Sequence, residues 1–201
     1  MFRNTVLTLV LTLAATFTLA QERRASHCIA IADATPGLKY LQKASWRDPI
    51  SPYTVRLTYV AHASFLIQTH GGINAVMDYT GFIGNTQLVP DVVTMNHAHS
   101  SHWTAFADPA IAHVLKGWGE TFGTGIDHYL ELPDLVVRNV STYIRAEFLG
   151  GELKGNSIFV FETEGLCIGH LHHELNDAQY AALGRLDVVM APVDGGYTVP
   201  Q

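Results

Sequence analysis

The sequence is poor in charge, in basic residues and in cysteine, and each shortage removes a class of protein. Only 15% of its 201 residues are charged while 48% are hydrophobic. That balance excludes a disordered or polyelectrolyte chain, which cannot bury enough apolar surface to offset the entropy of ordering. Lysine and arginine number 12 against 18 acidic residues, for a net charge of -6. No basic stripe exists, so nucleic acid is not an expected partner, because phosphate binding needs clustered cations. The two cysteines, Cys28 and Cys167, lack the spacing of a metal site. An oxidising compartment would permit a disulfide between them, but Cys167 lies in an apolar run and reads as a buried, inert thiol. Internal repeats and low-complexity segments are also absent.

Long apolar runs are missing everywhere except at the start. Arg3 precedes an apolar stretch from Val6 to Leu19, and Thr18-Leu19-Ala20 supplies small residues at its end. The stretch is short for a membrane span of roughly 20 residues, so residues 1–20 read as a cleaved signal peptide rather than an anchor. The mature protein is then expected to be secreted or periplasmic, with no membrane partner after cleavage. Residues 21–54 read as an N-terminal extension, and residues 55–201 as one domain with a sizeable core.

Within that domain Val55, Leu57 and Tyr59 alternate with Arg56 and Thr58, the period of a half-buried strand. Ser64 to Thr69 and Asn74 to Tyr79 are two more strands, joined through His70-Gly71-Gly72. Asp91 to Met95 reads as a buried strand, residues 104–118 as a helix, and Asn156 to Glu162 and Leu166 to Leu171 as a strand pair. Asp177 to Leu183 reads as a helix capped by Asp177 and stopped by Gly184, followed by a strand from Asp187 to Val193. Hairpins followed by alternating strands and helices imply a layered α/β domain.

What the chain has in excess is histidine, eleven in all. Three lie in His97-Ala98-His99-Ser100-Ser101-His102, directly after a buried strand, and three in His170-Leu171-His172-His173, at the end of another. Strand ends are where open α/β sheets place ligands, and neutral imidazole is the commonest metal ligand. Zinc takes about four ligands, one of them water where the site is catalytic. His97, His99, His102, His170, His172 and His173 are therefore the candidate metal ligands, and His102 is equally a candidate proton shuttle. Asp78, at a strand end, could orient a ligand imidazole or cap a turn. Arg138 and Arg145, between the clusters, suit surface ion pairs better than an anionic substrate, and Trp103 and Trp118 suit the core.

The first cluster resembles the H-x-H-x-D-H motif of the metallo-β-lactamase superfamily. The neighbouring segments are similar to its L-ascorbate-6-phosphate lactonase-like and N-acylphosphatidylethanolamine phospholipase D-like branch. Tyr59 to Ser64 resembles that branch's opening strand and Gly-His-Ala-Ser-like turn, and Ala75 to Asp78 its strand ending in Asp. Asn156 to Glu162, Gly165 to His170, Asp187 to Val193 and Gly195-Gly196 resemble its closing segments. The resemblance implies an αββα sandwich and metal-dependent hydrolysis. It also implies an Asp where this chain has Ser101, and a ligand His where it has Ile144 or Arg145. A Gly-Asp pair is implied where His172-His173 stand, and a last ligand His beyond the Gly-Gly turn, where the sequence stops at Gln201. The altered ligand set points to one zinc ion rather than two. The expected activity is hydrolysis of a small-molecule ester, lactone, amide or phosphodiester by a metal-activated water. The alternative is a non-catalytic, metal-binding descendant of the fold.

Overall fold

In a computed structural model of the chain, the described residues are 45–144, 151–171 and 175–191. The signal segment, Cys28, Arg145, His172, His173 and the Gly195-Gly196 turn lie outside them. The chain divides into Met1–Ser45 and Trp46–Gln201, and every strand and helix described belongs to the second unit.

The elements run β1 (Arg56–Ala61), β2 (Ser64–Gln68), β3 (Asn74–Met77), β4 (Val92–Met95), β5 (His113–Lys116), β6 (Tyr129–Leu132), β7 (Leu135–Ile144), β8 (Glu152–Thr163), β9 (Leu166–His170), α1 (Asp177–Leu183) and β10 (Val188–Met190). They form two five-stranded sheets, β1-β2-β3-β4-β5 and β10-β9-β8-β7-β6. Both are mixed. β1, β2 and β3 pair antiparallel, whereas β3, β4 and β5 pair parallel. β6 to β9 pair antiparallel and β10 adds parallel to β9.

Side chains alternate across a strand, so one strand feeds two cores. Ala75 and Met77 of β3 and Val92 of β4 meet Leu135, Val137, Phe159, Phe161 and Ile168 between the sheets. The intervening Val76, Val93 and Met95 pack instead with Tyr79 and Ile111 on the other face of the first sheet. Ile158 and Val160 face away from the central layer and are covered by Leu183 of α1. Sheets facing each other with cover on their outer faces make the metallo-β-lactamase-like sandwich expected from the sequence.

Three local expectations are corrected. Residues 104–118 are not a helix; the chain there turns and then forms β5, which pairs with β4 from Val92↔His113 to Met95↔Lys116. The cap of α1 is Asn176, one residue before Asp177: its side chain accepts from Gln179 N while the Gln179 side chain accepts from Asn176 N. This reciprocal pair satisfies two of the donors that a helix start leaves open. Cys167 is half-buried rather than fully buried.

The segment before β1 is tied to both sheets. Gln68 Nε2 donates to Trp46 O at 2.9 Å, and Arg56 Nη1 to Asp48 O at 3.0 Å. The Tyr53 amide donates to Glu164, in the β8–β9 turn, at 3.0 Å.

The parallel run β3-β4-β5 puts three C-terminal strand ends along one edge. The sheets are joined there by backbone, with Ser157 N of β8 donating to Asn96 O at 3.0 Å, while Gly117 N donates to Met95 O at 2.7 Å within the first sheet. A Cβ on Gly117 would lie 2.5 Å from Asn96 O and 2.8 Å from the Ser157 Cβ, so only glycine fits.

Candidate metal centre

β3 ends at Met77, and Asp78 turns the chain with φ 47°. Aspartate tolerates this left-handed region better than most residues. The bend is held by Ser64 Oγ donating to Asp78 O at 2.5 Å and by Tyr79 N donating to Thr94 O at 2.9 Å. Asp78 is completely buried. Its Oδ1 accepts the Asn96 amide at 3.3 Å, so the residue just before His97 is pinned to β3 as well as to β8.

Beyond Asn96 the loop folds through short-range bonds: His99 N donates to His97 O at 2.9 Å and His102 N to His99 O at 2.8 Å. These turns bring the three rings together. Centroids lie 4.4 Å apart for His97 and His102, 5.7 Å for His97 and His99, and 6.1 Å for His99 and His102. One ligand nitrogen from each of the three lies within 4.8 Å of the others. In a tetrahedral zinc site with Zn–N bonds of 2.0–2.1 Å, ligand nitrogens stand about 3.4 Å apart. His99 is exposed and has room to make the remaining adjustment. The donor set fits a borderline-soft cation such as zinc, and among the described residues it is the one such group.

His170 reaches the same place from the second sheet but stops at the carboxylate. Asp78 Oδ2 accepts from His102 Nδ1 at 2.9 Å and lies 3.5 Å from His170 Nδ1. His170 is buried and stands edge-on to Phe65, with centroids 5.7 Å apart. His102 of the first cluster and His170 at the end of β9 therefore meet at one buried oxygen, with His97, His99 and His102 grouped and His170 beside Asp78. With Nδ1 on Asp78, His102 has Nε2 left to offer, the arrangement by which carboxylates fix metal-binding imidazoles. Burial raises the Tyr79 phenol above its ordinary value, with the Asp108 carboxylate adding to the effect, so Tyr79 stays protonated and is no base.

Sequence reasoning passed over two contributors. Asn96 supplies the amide on Asp78, and nothing in its type marks it. His62 occupies the tight turn between β1 and β2 with φ 51°, and its ring lies 5.5 Å from that of His102. Its signal was position: a histidine in a hairpin turn beside the same sheet edge.

Trp103 and Trp118 meet edge-on at 5.7 Å and pack on the Val76–Met95 cluster, away from any ligand role. Arg138 is structural too. Its Nε donates to Glu162 at 2.6 Å, and Nη1 and Nη2 donate to Ala182 O and Leu183 O at 3.0 and 2.7 Å, closing the C-terminus of α1. Replacing Arg138 with methionine should cost about 1–2 kcal/mol in denaturant unfolding while leaving metal content unchanged. A change of metal content in that variant would return Arg138 to the site.

A family model, beta-lactamase superfamily domain, matches residues 56–201. The structure is similar to that of a Parabacteroides distasonis protein assigned as a metal-dependent hydrolase, with 14% identity over 73% of each chain and a TM-score of 0.54. It is more distantly similar to CmlA, a diiron beta-hydroxylase from Streptomyces venezuelae, with 12% identity and a TM-score of 0.42. That match covers 72% of this chain but only 35% of CmlA. No curated protein matches the sequence.

Proposed function

Because the chain belongs to the beta-lactamase superfamily domain family, we propose that it is an exported, single-zinc hydrolase acting on a small ester, lactone, amide or phosphodiester. One observation carries this reading: three imidazole nitrogens within 4.8 Å of one another at the sheet edge. Three histidines leave a zinc ion one further position, as in catalytic rather than structural sites. A zinc ion held there would supply Lewis acidity and a bound water with a pKa near ~7.

The protein's own groups prepare that chemistry. His97 and His102, half-buried, and His99, exposed, would hold the cation. Asp78 keeps the proton of His102 on Nδ1 and brings negative charge beneath the cluster. His170, 3.5 Å from the same oxygen, is a second imidazole able to hold a proton at that carboxylate. Exposure of His99 marks the side from which a substrate approaches.

The test is elemental analysis of the purified mature protein, followed by assays against a lactone, a phosphodiester and a β-lactam with and without chelator. About one zinc per chain and turnover that chelation abolishes are expected. Bound zinc with no turnover on any member would leave a metal-binding descendant of the fold. Absence of bound metal would overturn the reading.

A further inference from the structure

Most imidazoles around the site are already engaged. His102 is fastened to Asp78, and His170 stands 3.5 Å from the same carboxylate oxygen. His99 Nδ1 lies 2.7 Å from Ser101 Oγ and accepts the Ser101 amide at 3.4 Å. His62 differs. Among the described residues its ring touches only that of His102, 5.5 Å away and tilted by 56°, and neither ring nitrogen has a hydrogen-bond partner. It also stands outside the group of ligand nitrogens that lie within 4.8 Å of one another. It is an exposed imidazole beside the cluster that is neither ligand nor support.

The turn holds it there against the backbone's preference. β1 and β2 pair through Ala61↔Ser64, which leaves His62 and Ala63 as a two-residue loop. His62 has φ 51°, in the left-handed region that glycine enters freely and a residue with a Cβ enters at a penalty. Ser64, the next paired residue, is buried and donates through Oγ to Asp78 O at 2.5 Å. The hairpin is thus pinned to the same residue that orients His102. Strained residues persist where their surroundings over-determine them, and they concentrate at sites that act on ligands.

We propose that His62 is a catalytic residue of this centre. Its ring N–H donates to the carbonyl or phosphoryl oxygen of a substrate seated on the exposed side of the cluster, where negative charge grows as that group is attacked. The proposal rests on the hydrolase reading and adds to it the group that receives the oxygen. Either tautomer of a neutral imidazole carries one N–H, so the donation needs no change of charge. Other donors are committed elsewhere: Arg138 closes α1, Tyr79 is buried on the outer face of the first sheet, and Ser101 Oγ lies on His99. A donor aimed at developing charge lowers the barrier more than it tightens substrate binding.

The experiment compares wild type, His62→Gly and His62→Asn as purified mature proteins. Glycine fits the φ of the turn without strain, and asparagine tolerates it while keeping an amide donor. Zinc content is read by elemental analysis. Turnover gives kcat and KM on the member of the lactone, phosphodiester and β-lactam panel that wild type hydrolyses. Calorimetry gives the affinity of the zinc-loaded protein for inorganic phosphate, a tetrahedral oxyanion. His62→Gly should keep its zinc and its melting temperature, and should lower kcat by on the order of a hundredfold with little change in KM. It should also bind phosphate about tenfold more weakly. His62→Asn should recover most of both losses. Wild-type kcat and phosphate affinity in His62→Gly overturn the inference alone, as does an asparagine variant no better than glycine. Loss of zinc in His62→Gly makes His62 a ligand and equally overturns the inference. A wild-type chain without zinc, or with zinc but without turnover, overturns the hydrolase reading and this inference with it.

Discussion

Replacing Asp78 with alanine is expected to lower the melting temperature of the metal-free protein by on the order of 10 °C, the largest stability loss from any single polar substitution in the site. The carboxylate is wholly buried and receives the Asn96 amide, the His102 ring and the approach of His170. Removing it leaves those buried donors without their acceptor, at about 1–3 kcal/mol for each. A domain of this size loses roughly 2–4 °C per kcal/mol. Alanine also strains the φ of 47° that aspartate accepts at this bend.

Asp78→Asn separates folding from chemistry. Asparagine tolerates the same backbone and can still accept the Asn96 amide through its oxygen. If its NH2 faces His102, however, it can only donate to Nδ1, which drives the imidazole hydrogen onto Nε2, the atom needed by the metal. The variant should fold with a smaller loss of melting temperature, yet bind zinc about 10- to 100-fold more weakly. Chelator competition beside a melting curve reads both quantities. An Asn variant with wild-type zinc affinity would show that the Asp78–His102 bond does not govern the ligand atom.

The second large effect belongs to His97. Sharing the roughly 10–16 kcal/mol of apparent zinc affinity in structural sites among four ligands assigns each about 3 kcal/mol, or on the order of a hundredfold in affinity. His97→Ala should lose zinc by that factor and lose turnover with it, while the melting temperature without metal changes little, because the backbone bonds that fix this loop are those of Asn96. Full zinc content in His97→Ala, measured by elemental analysis, would remove His97 from the ligand set.

Much of this architecture was legible before any coordinates, for reasons that differ between elements. The first strands declared themselves by alternation, although burial in β1 does not follow it: Leu57 packs on the core between the sheets and Val60 on the opposite face, while Thr58 and Tyr59 are exposed. β4 was legible as an unbroken apolar run because both of its faces are covered, with Val92 inside the sandwich and Val93 and Met95 outside it. Residues 104–118 misled because a four-residue strand leaves too short a pattern to oppose a helical one. What makes β5 a strand is pairing with β4, a tertiary fact. At α1 the competition was between two adjacent good caps, and Asn176 prevailed through its exchange with Gln179.

The grouping of His97, His99 and His102 could be read from spacing, because a short loop has few ways to separate three rings. The place of His170 could not. Its distance from the first cluster depends on how two sheets stack, and the structure sets it against Asp78 rather than among the three. Ser101 was visible only as a departure from a motif; its hold on His99 depends on ring orientation, which spacing does not specify.

The Asn96–Ser157 bond has a consequence for how such a site could change. It fastens the root of the histidine loop across the interior, with Gly117 closing the space around it. The halves of the sandwich cannot slip past one another without dragging the first imidazole along. The loop after that root is held by its own short-range backbone bonds and by Asp78. New side chains could be tried at Ala98, Ser100 or Ser101 with the scaffold indifferent to the outcome, whereas Asn96 and Gly117 are fixed points about which any new chemistry would have to be arranged.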